Sequence, residues 1–475
     1  MRRCGVLLPL FSLPGPDCIG TMGSEARAFV DFLAGAGQSV WQVLPLTLPA
    51  RGNSPYSAVS AFAGNPCYIS LEPLVDKGYL QTRDCLPLGD SPEGRVDYDA
   101  CRKKKLPLLR RAFTAARGPE NRQIEEFRRG HKYWIEDFAS FMAGKCVSPV
   151  AGKTEGPPEA EERAFWVYTQ YLFFDQCRLL CRYARQRGVR LMGDIPLYAD
   201  VESADVWAHP ELFQLEPDTG RPLAVAGVPP DAFSREGQIW GNPLYDWKAL
   251  KKTGYHWWME RLRVCALLYD SVRIDHFRGL AEYYAIPAGA STARGGHWEE
   301  GPGEDFIRRL KALPCDFVAE DLGHLTPGVT RLLRQSGFPG MRVLLFAFHP
   351  GEESSYLPHN MVRDCVAYIG THDNDTARGW METAPACETR FARRYLRLTR
   401  REGYHWGFIR ALYASVADSA IVQMQDFLGL GNEARTNIPA VPEGNWEWRM
   451  SPGYSEDGLA KKIKAMARLY GRLPK

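Results

Sequence analysis

No stretch of this 475-residue chain approaches the ~18 consecutive apolar residues of a transmembrane helix. An excess of one charge is also missing. The 59 Lys and Arg nearly balance the 56 Asp and Glu, and the formal net charge of +3 gives no support for a nucleic-acid or membrane-surface partner. The 12 cysteines include no C-x-x-C pair, and their scatter argues against a disulfide framework. Cys177 and Cys181, four apart in an apolar helical run, read as buried free thiols. A reducing, cytoplasmic setting is therefore expected. The N-terminus imitates a signal peptide with Arg2, Arg3 and a short apolar run. It contains Pro9 and leads into Leu13-Pro-Gly-Pro16 rather than a small-residue cleavage site, so it reads as a first strand.

What is present is ordinary globular chain, 45% apolar and 24% charged. Aromatics reach 12% and include 13 Trp, which suits either a large core or sugar-stacking surfaces. Strand candidates recur at residues 5–9, 40–44, 190–196, 271–279, 316–323, 341–348, 365–369 and 420–423, with helical patterns between them. Ser24 reads as a helix cap, with a stop near Gly35 and Gly37. Thr326-Pro-Gly opens another helix with a capping hydroxyl and a proline at the first turn. Eight strand–helix repeats predict an α/β fold, a (β/α)8 TIM barrel with large inserted subdomains after strands two and three. The rival, a doubly wound open sheet, lacks a Gly-rich phosphate turn after strand one. The organisation expected is strands one and two in residues 1–48 and an inserted subdomain in 49–160. The rest of the barrel follows in 161–475, with a substrate loop region inserted at about 198–247.

Acidic residues gather where such barrels carry their active sites, at the C-terminal strand ends. They are Asp194 after strand three, Asp275 at strand four, Glu320 at strand five and Asp373, beside His372, after strand seven. Crowded carboxylates repel, which raises at least one pKa. One carboxyl can then donate a proton while another stays an anion, the asymmetry that glycoside cleavage needs. In Ser271-Val-Arg-Ile-Asp-His-Phe-Arg-Gly279, Arg273 and Asp275 are two apart and share a strand face. Alone, that pair reads equally well as a core ion pair. With the other acids beside it, the guanidinium selects Asp275 as nucleophile and leaves Glu320 for acid/base work. A metal site is the competing use of these carboxylates, but His372 carries no H-x-x-E or H-x-H spacing around it, and no metal or other cofactor is implied.

The segments Val272-Arg-Ile-Asp-His-Phe-Arg-Gly279, Ala319-Glu-Asp-Leu-Gly323 and Tyr368-Ile-Gly-Thr-His-Asp-Asn-Asp-Thr376 resemble the signature segments of the amylomaltases. These are the 4-α-glucanotransferases, or disproportionating enzymes, of the α-amylase clan. Ser54-Pro-Tyr-Ser57 with Ser60-Ala-Phe-Ala-Gly-Asn-Pro66 resembles their early substrate loop. Val228-Pro-Pro-Asp231 through Ile239-Trp-Gly-Asn-Pro-Leu-Tyr245 resembles the loop arching over their cleft, and Gln425–Arg435 with Gly444–Arg449 resembles their C-terminal segment. The resemblance implies that Asp275 forms a covalent β-glucosyl intermediate and that Glu320 is the acid/base. It implies that Asp373 binds the 2- and 3-hydroxyls of the reacting glucose while Arg273 and His372 hold the nucleophile and that sugar. Asp194 would support the site or anchor a loop. Tyr56 and Trp240 are candidate stacking walls, and Asn437 is a further candidate for binding substrate. The donor and acceptor implied are α-1,4-glucans and maltooligosaccharides.

Three positions depart from the family pattern: Ala232 where an aromatic is usual, a looser opening segment at Leu8-Pro-Leu-Phe-Ser-Leu-Pro14, and Ala440 where Gly is usual. Glucan transfer leads; an α-amylase-like hydrolase with the same acids is the nearest rival. A non-catalytic sugar-binding barrel is disfavoured by the intact acids, and a nucleotide-sugar transferase by the absence of a phosphate-cradling loop.

Overall fold

The computed structural model describes residues 2–85, 94–147, 157–230, 234–323, 325–351, 353–441, 443–455 and 458–474. Eight parallel strands form one sheet: β1 Arg3–Leu7, β2 Val40–Gln42, β3 Arg190–Ile195, β4 Ser271–Ile274, β5 Asp316–Ala319, β6 Gly340–Val343, β7 Cys365–Tyr368 and β8 Ser419–Gln423. Their order is β6-β7-β8-β1-β2-β3-β4-β5, so the first strand pairs with the last and the sheet rolls up. The remaining seam lies between β5 and β6. It is drawn together by Ala319 N–H donating to the Pro339 carbonyl and by the buried Asp321 carboxylate accepting from Met341 N–H at 2.6 Å. The architecture is the (β/α)8 barrel expected.

Side-chain caps set some of the helix ends. The helix Pro327–Ser336 starts with the Thr326 hydroxyl accepting from Val329 N–H and stops at Gly337 in the left-handed conformation. Ser24 differs from its expected role. It is the first helical residue of Ser24–Gly35, Gly23 takes the cap position, and the Ser24 hydroxyl donates to Glu72 instead. The sixth strand is shorter than expected because Leu344–Phe346 tightens into a 3-10 turn.

Residues 49–160 carry the helices Glu72–Asp76, Tyr98–Ala116, Asn121–Gly130 and Ile135–Val147. The long helix Pro157–Gln186 buries Cys177 and Cys181 against β4's supporting helix His256–Leu268; the Cys181 thiol reaches the Leu268 carbonyl at 3.0 Å. The segment 198–247, expected as a substrate loop region, contributes two strands of a four-stranded antiparallel sheet. Its order is Gln238–Pro243, Ala224–Val228, Glu282–Pro287, His297–Glu300.

Much of the tryptophan excess belongs to the core. Trp41, Trp257 and Trp258 are fully buried, and Tyr245, Trp257, Trp258 and Phe306 pack mostly edge to face with centroids 5.5–5.8 Å apart. No helix among the described residues is long and apolar enough to cross a membrane.

Gly193 sits within β3 next to Asp194, and a Cβ there would stand 2.3 Å from the Tyr269 ring. Gly193→Ala is expected to lower unfolding stability by about 1–3 kcal/mol through this overpacking. An unchanged denaturation midpoint would show that Tyr269 moves aside freely.

Candidate active site

The centre of the site is the guanidinium of Arg273, projecting from β4 into the barrel with its side chain only 4% exposed. One terminal nitrogen donates to both oxygens of Asp194, at 2.8 and 2.7 Å. The other pairs with Asp275 at 2.8 Å. Asp194 is the penultimate residue of β3, neighbour of β4 in the sheet, and its carboxylate is wholly buried, which pushes its pKa up against the opposing pull of Arg273. Asp275 lies one residue past β4 and is 30% exposed, so it is the member of the trio that meets the cleft. His276 follows it with φ of 51°, a backbone setting that turns the chain sharply away from the strand.

Glu320 stands one residue past β5. Its carboxylate accepts from His276 N–H at 2.9 Å and Leu322 N–H at 2.8 Å. Burial pushes its pKa up to about 7; Asp275 adds to the rise, while Arg273 and the two N–H donors oppose it. Asp194 and Glu320 are therefore both raised by desolvation, but Asp194 is locked to a guanidinium and Glu320 is not.

A fourth acid arrives from the loop after β7. The Asp373 carboxylate is 41% exposed, accepts from the Asn437 side-chain amide at 2.6 Å and lies 3.3 Å from His372 Nε2. His372 is buried and stacked on Tyr56, with ring centroids 5.2 Å apart. Tyr56 in turn donates its hydroxyl to Asp194 at 2.9 Å, so the early loop, β3 and the β7 loop are tied through one ring. Trp240, 38% exposed on Gln238–Pro243, meets the His276 ring edge to face at 4.8 Å. All nine predicted site residues thus join one connected group. Ala232 lies outside the described residues. Ala440 is held at φ of 64°, which accounts for the glycine usual there: a Cβ is strained in that region.

Sequence reasoning passed over His276, Arg435 and Trp446. His276 is kept neutral by burial, with a pKa near 4, and only its place beside Asp275 could have flagged it. Trp446 stands 5.7 Å from Tyr56 and 5.9 Å from His372, brought there by the chain's return after Asn437. Among the described residues, no cluster of three or more His, Cys, Asp or Glu is arranged to hold a metal ion.

Four carboxylates gather at the rim of a (β/α)8 barrel, Asp194 and Asp275 on one guanidinium and Glu320 raised by burial without such a partner, an arrangement of the glycoside-hydrolase type. The family model of glycoside hydrolase family 77, described as 4-alpha-glucanotransferase, matches residues 8–455. The 4-alpha-glucanotransferase of Clostridium butyricum is 42% identical over 482 residues, covering 97% of this chain and 99% of the relative. That of Thermus thermophilus is 43% identical over 501 residues, covering 99% of each. Among solved structures, the amylomaltase from Streptococcus agalactiae in complex with acarbose superposes with a TM-score of 0.95 at 35% identity, covering both chains fully. The chain belongs to the 4-alpha-glucanotransferase family, and its activity is glucan transfer of the amylomaltase type by a retaining, glycoside-hydrolase-like enzyme.

The raised Glu320 pKa has a consequence for stability. Between the unfolded carboxyl value, about 4.3, and the folded value near 7, the folded state binds more protons, so stability falls as pH rises through that window. Glu320→Gln removes the penalty. It is expected to be more stable than the parent by about 1–3 kcal/mol at pH 8, with the advantage fading toward pH 4.5. A pH-independent difference in denaturant midpoint would contradict the assignment. Separately, Ala440→Gly is expected to gain about 0.5–1 kcal/mol by relieving the left-handed alanine, read as a rise in Tm.

Proposed function

We propose that the chain disproportionates α-1,4-glucans through a covalent glucosyl–Asp275 ester. The observation that carries this reading is the unequal setting of two neighbouring carboxyls: Asp275 paired with a buried guanidinium, Glu320 raised to about 7. The Asp275 carboxylate attacks the anomeric carbon of the donor glucose. As the bond to the leaving 4-oxygen breaks, the Glu320 carboxyl delivers its proton to that oxygen. The shortened glucan departs, and an acceptor's 4-hydroxyl enters. Glu320, now a carboxylate, takes the hydroxyl proton while the acceptor oxygen displaces Asp275. Two inversions give net retention, and a proton lost in the first half is regained in the second.

Asp373, with Asn437 and His372 beside it, is assigned to the 2- and 3-hydroxyls of the reacting glucose. These contacts strengthen as the ring flattens toward the oxocarbenium shape. Arg273 holds the nucleophile, and Asp194 and Tyr56 hold Arg273 and His372 in turn. The partly exposed Trp240 and the Tyr56 ring are proposed as walls for sugar faces. Maltooligosaccharides are proposed as both donor and acceptor, a reading supported by the acarbose complex of the S. agalactiae amylomaltase. Nucleic acid and membrane have no part in it. Cytoplasmic placement is supported by the free cysteines among the described residues. We keep residues 49–160 as an inserted subdomain and 198–247 as the substrate loop region of the barrel.

Incubation with maltotriose tests transfer: glucose and longer oligosaccharides are expected with total reducing ends constant, whereas rising reducing ends would mark a hydrolase. Asp275→Asn is expected to lower kcat about 10³-fold or more with an unchanged Tm. Near-normal turnover would remove Asp275 from its role.

A further inference from the structure

The guanidinium of Arg435 joins two chain segments that meet at Asp373. From its own segment it holds the Asn437 carbonyl, with Nε at 3.3 Å and a terminal nitrogen at 3.1 Å. That same terminal nitrogen donates to the Asp373 carbonyl at 2.8 Å, and the other pairs with the Asp375 carboxylate. Asp375 is itself anchored by the Thr383 hydroxyl at 3.1 Å. The Arg435–Asp375 pair is well shielded, with side chains 16% and 20% exposed. A closed ring of bonds results. It runs from the Asp373 carbonyl through Arg435 to the Asn437 carbonyl, along Asn437 to its side-chain amide, and back to the Asp373 carboxylate. A second strut, Asn437 N–H to the His372 carbonyl at 3.1 Å, crosses the same junction.

We propose that Arg435 is a positioning residue for the transfer reaction, fixing the Asp373 carboxylate through Asn437 where it grips the reacting glucose. This rests on the role given to Asp373 above. The rigid fork of an arginine can reach three oxygens from two segments at once; an ammonium is a single point charge and cannot. Asp373 needs such bracing because its carboxylate projects from a loop, 41% exposed, rather than from a strand. Its bonds to the 2- and 3-hydroxyls tighten in the transition state, so a displaced carboxylate lowers kcat more than it raises KM.

The test compares two activated donors, α-maltotriosyl fluoride and its analogue lacking the 2-hydroxyl on the reacting glucose. Arg435→Lys, Asp375→Asn and Asp373→Asn are each measured on both. For Arg435→Lys on the full donor, kcat is expected to fall on the order of 10–100-fold with KM within about threefold. On the 2-deoxy donor that deficit should shrink, as it should for Asp373→Asn, because the contact being misplaced is no longer made. A general loss of folding would lower both donors alike. If Arg435→Lys fails to fold, Asp375→Asn, which loosens the same guanidinium at constant volume, gives the comparison. An impaired Asp373→Asn alongside guanidinium variants that are near wild type, or equally impaired on both donors, overturns the proposal alone. A fully active Asp373→Asn overturns the reading beneath it.

Discussion

A guanidinium inside a barrel loses its hydration and is retained only where fixed anions replace it. Arg273 meets that requirement with Asp194 below and Asp275 above, and this bridge sets most of what surrounds it. Asp194 stands opposite Arg273 in the register of β3 and β4, and Gly193 before it leaves room for the Tyr269 ring. Tyr56 reaches Asp194 from the early loop and carries His372 on its ring, so the same charge cluster orders the approach to the β7 loop. Glu320 sits close enough to feel both Arg273 and Asp275 yet pairs with neither. Its two partners are backbone N–H groups. Two carboxyls on adjacent strands thereby stand in unequal surroundings, which is what the division of labour proposed for them requires.

The alternation of Val272 and Ile274 with Arg273 and Asp275 made β4 legible, and the repeat of strand and helix around it made the barrel legible. Boundaries governed by single side chains were less so. Ser24 has the chemistry of a cap, but a nearby Glu72 competes for its hydroxyl and the cap passes to Gly23. The small antiparallel sheet was hidden because its strands come from two separated stretches and are interrupted by residues such as Gly227 and Pro243, which blur the period-2 pattern. In the site, the acids stood at strand ends, where a sequence can be counted toward them. Arg435 and Trp446 reach the centre through tertiary contacts with the β7 loop, which no local period encodes.

The two halves of the site consequently have different mechanical character. Asp275 and Glu320 are carried by strand ends within the closed sheet, and the seam beside Glu320 is secured by Asp321 gripping Met341 N–H and Arg342. Asp373 is carried by a loop whose geometry depends on a separate segment of chain. In the mechanism proposed, a rigid pair of reacting carboxyls beside a braced but more exposed sugar-binding carboxylate would keep the chemistry constant while glucans exchange across it.

The central claim is that Asp275, selected by Arg273, carries the glucosyl group between donor and acceptor. Trapping with a 5-fluoro-α-glucosyl fluoride slows the second half-reaction, and peptide mass spectrometry then locates the sugar. A single glycosylated peptide with the label on Asp275 is expected. A label on Glu320 or Asp373, or turnover of the reagent with no covalent adduct, would contradict it.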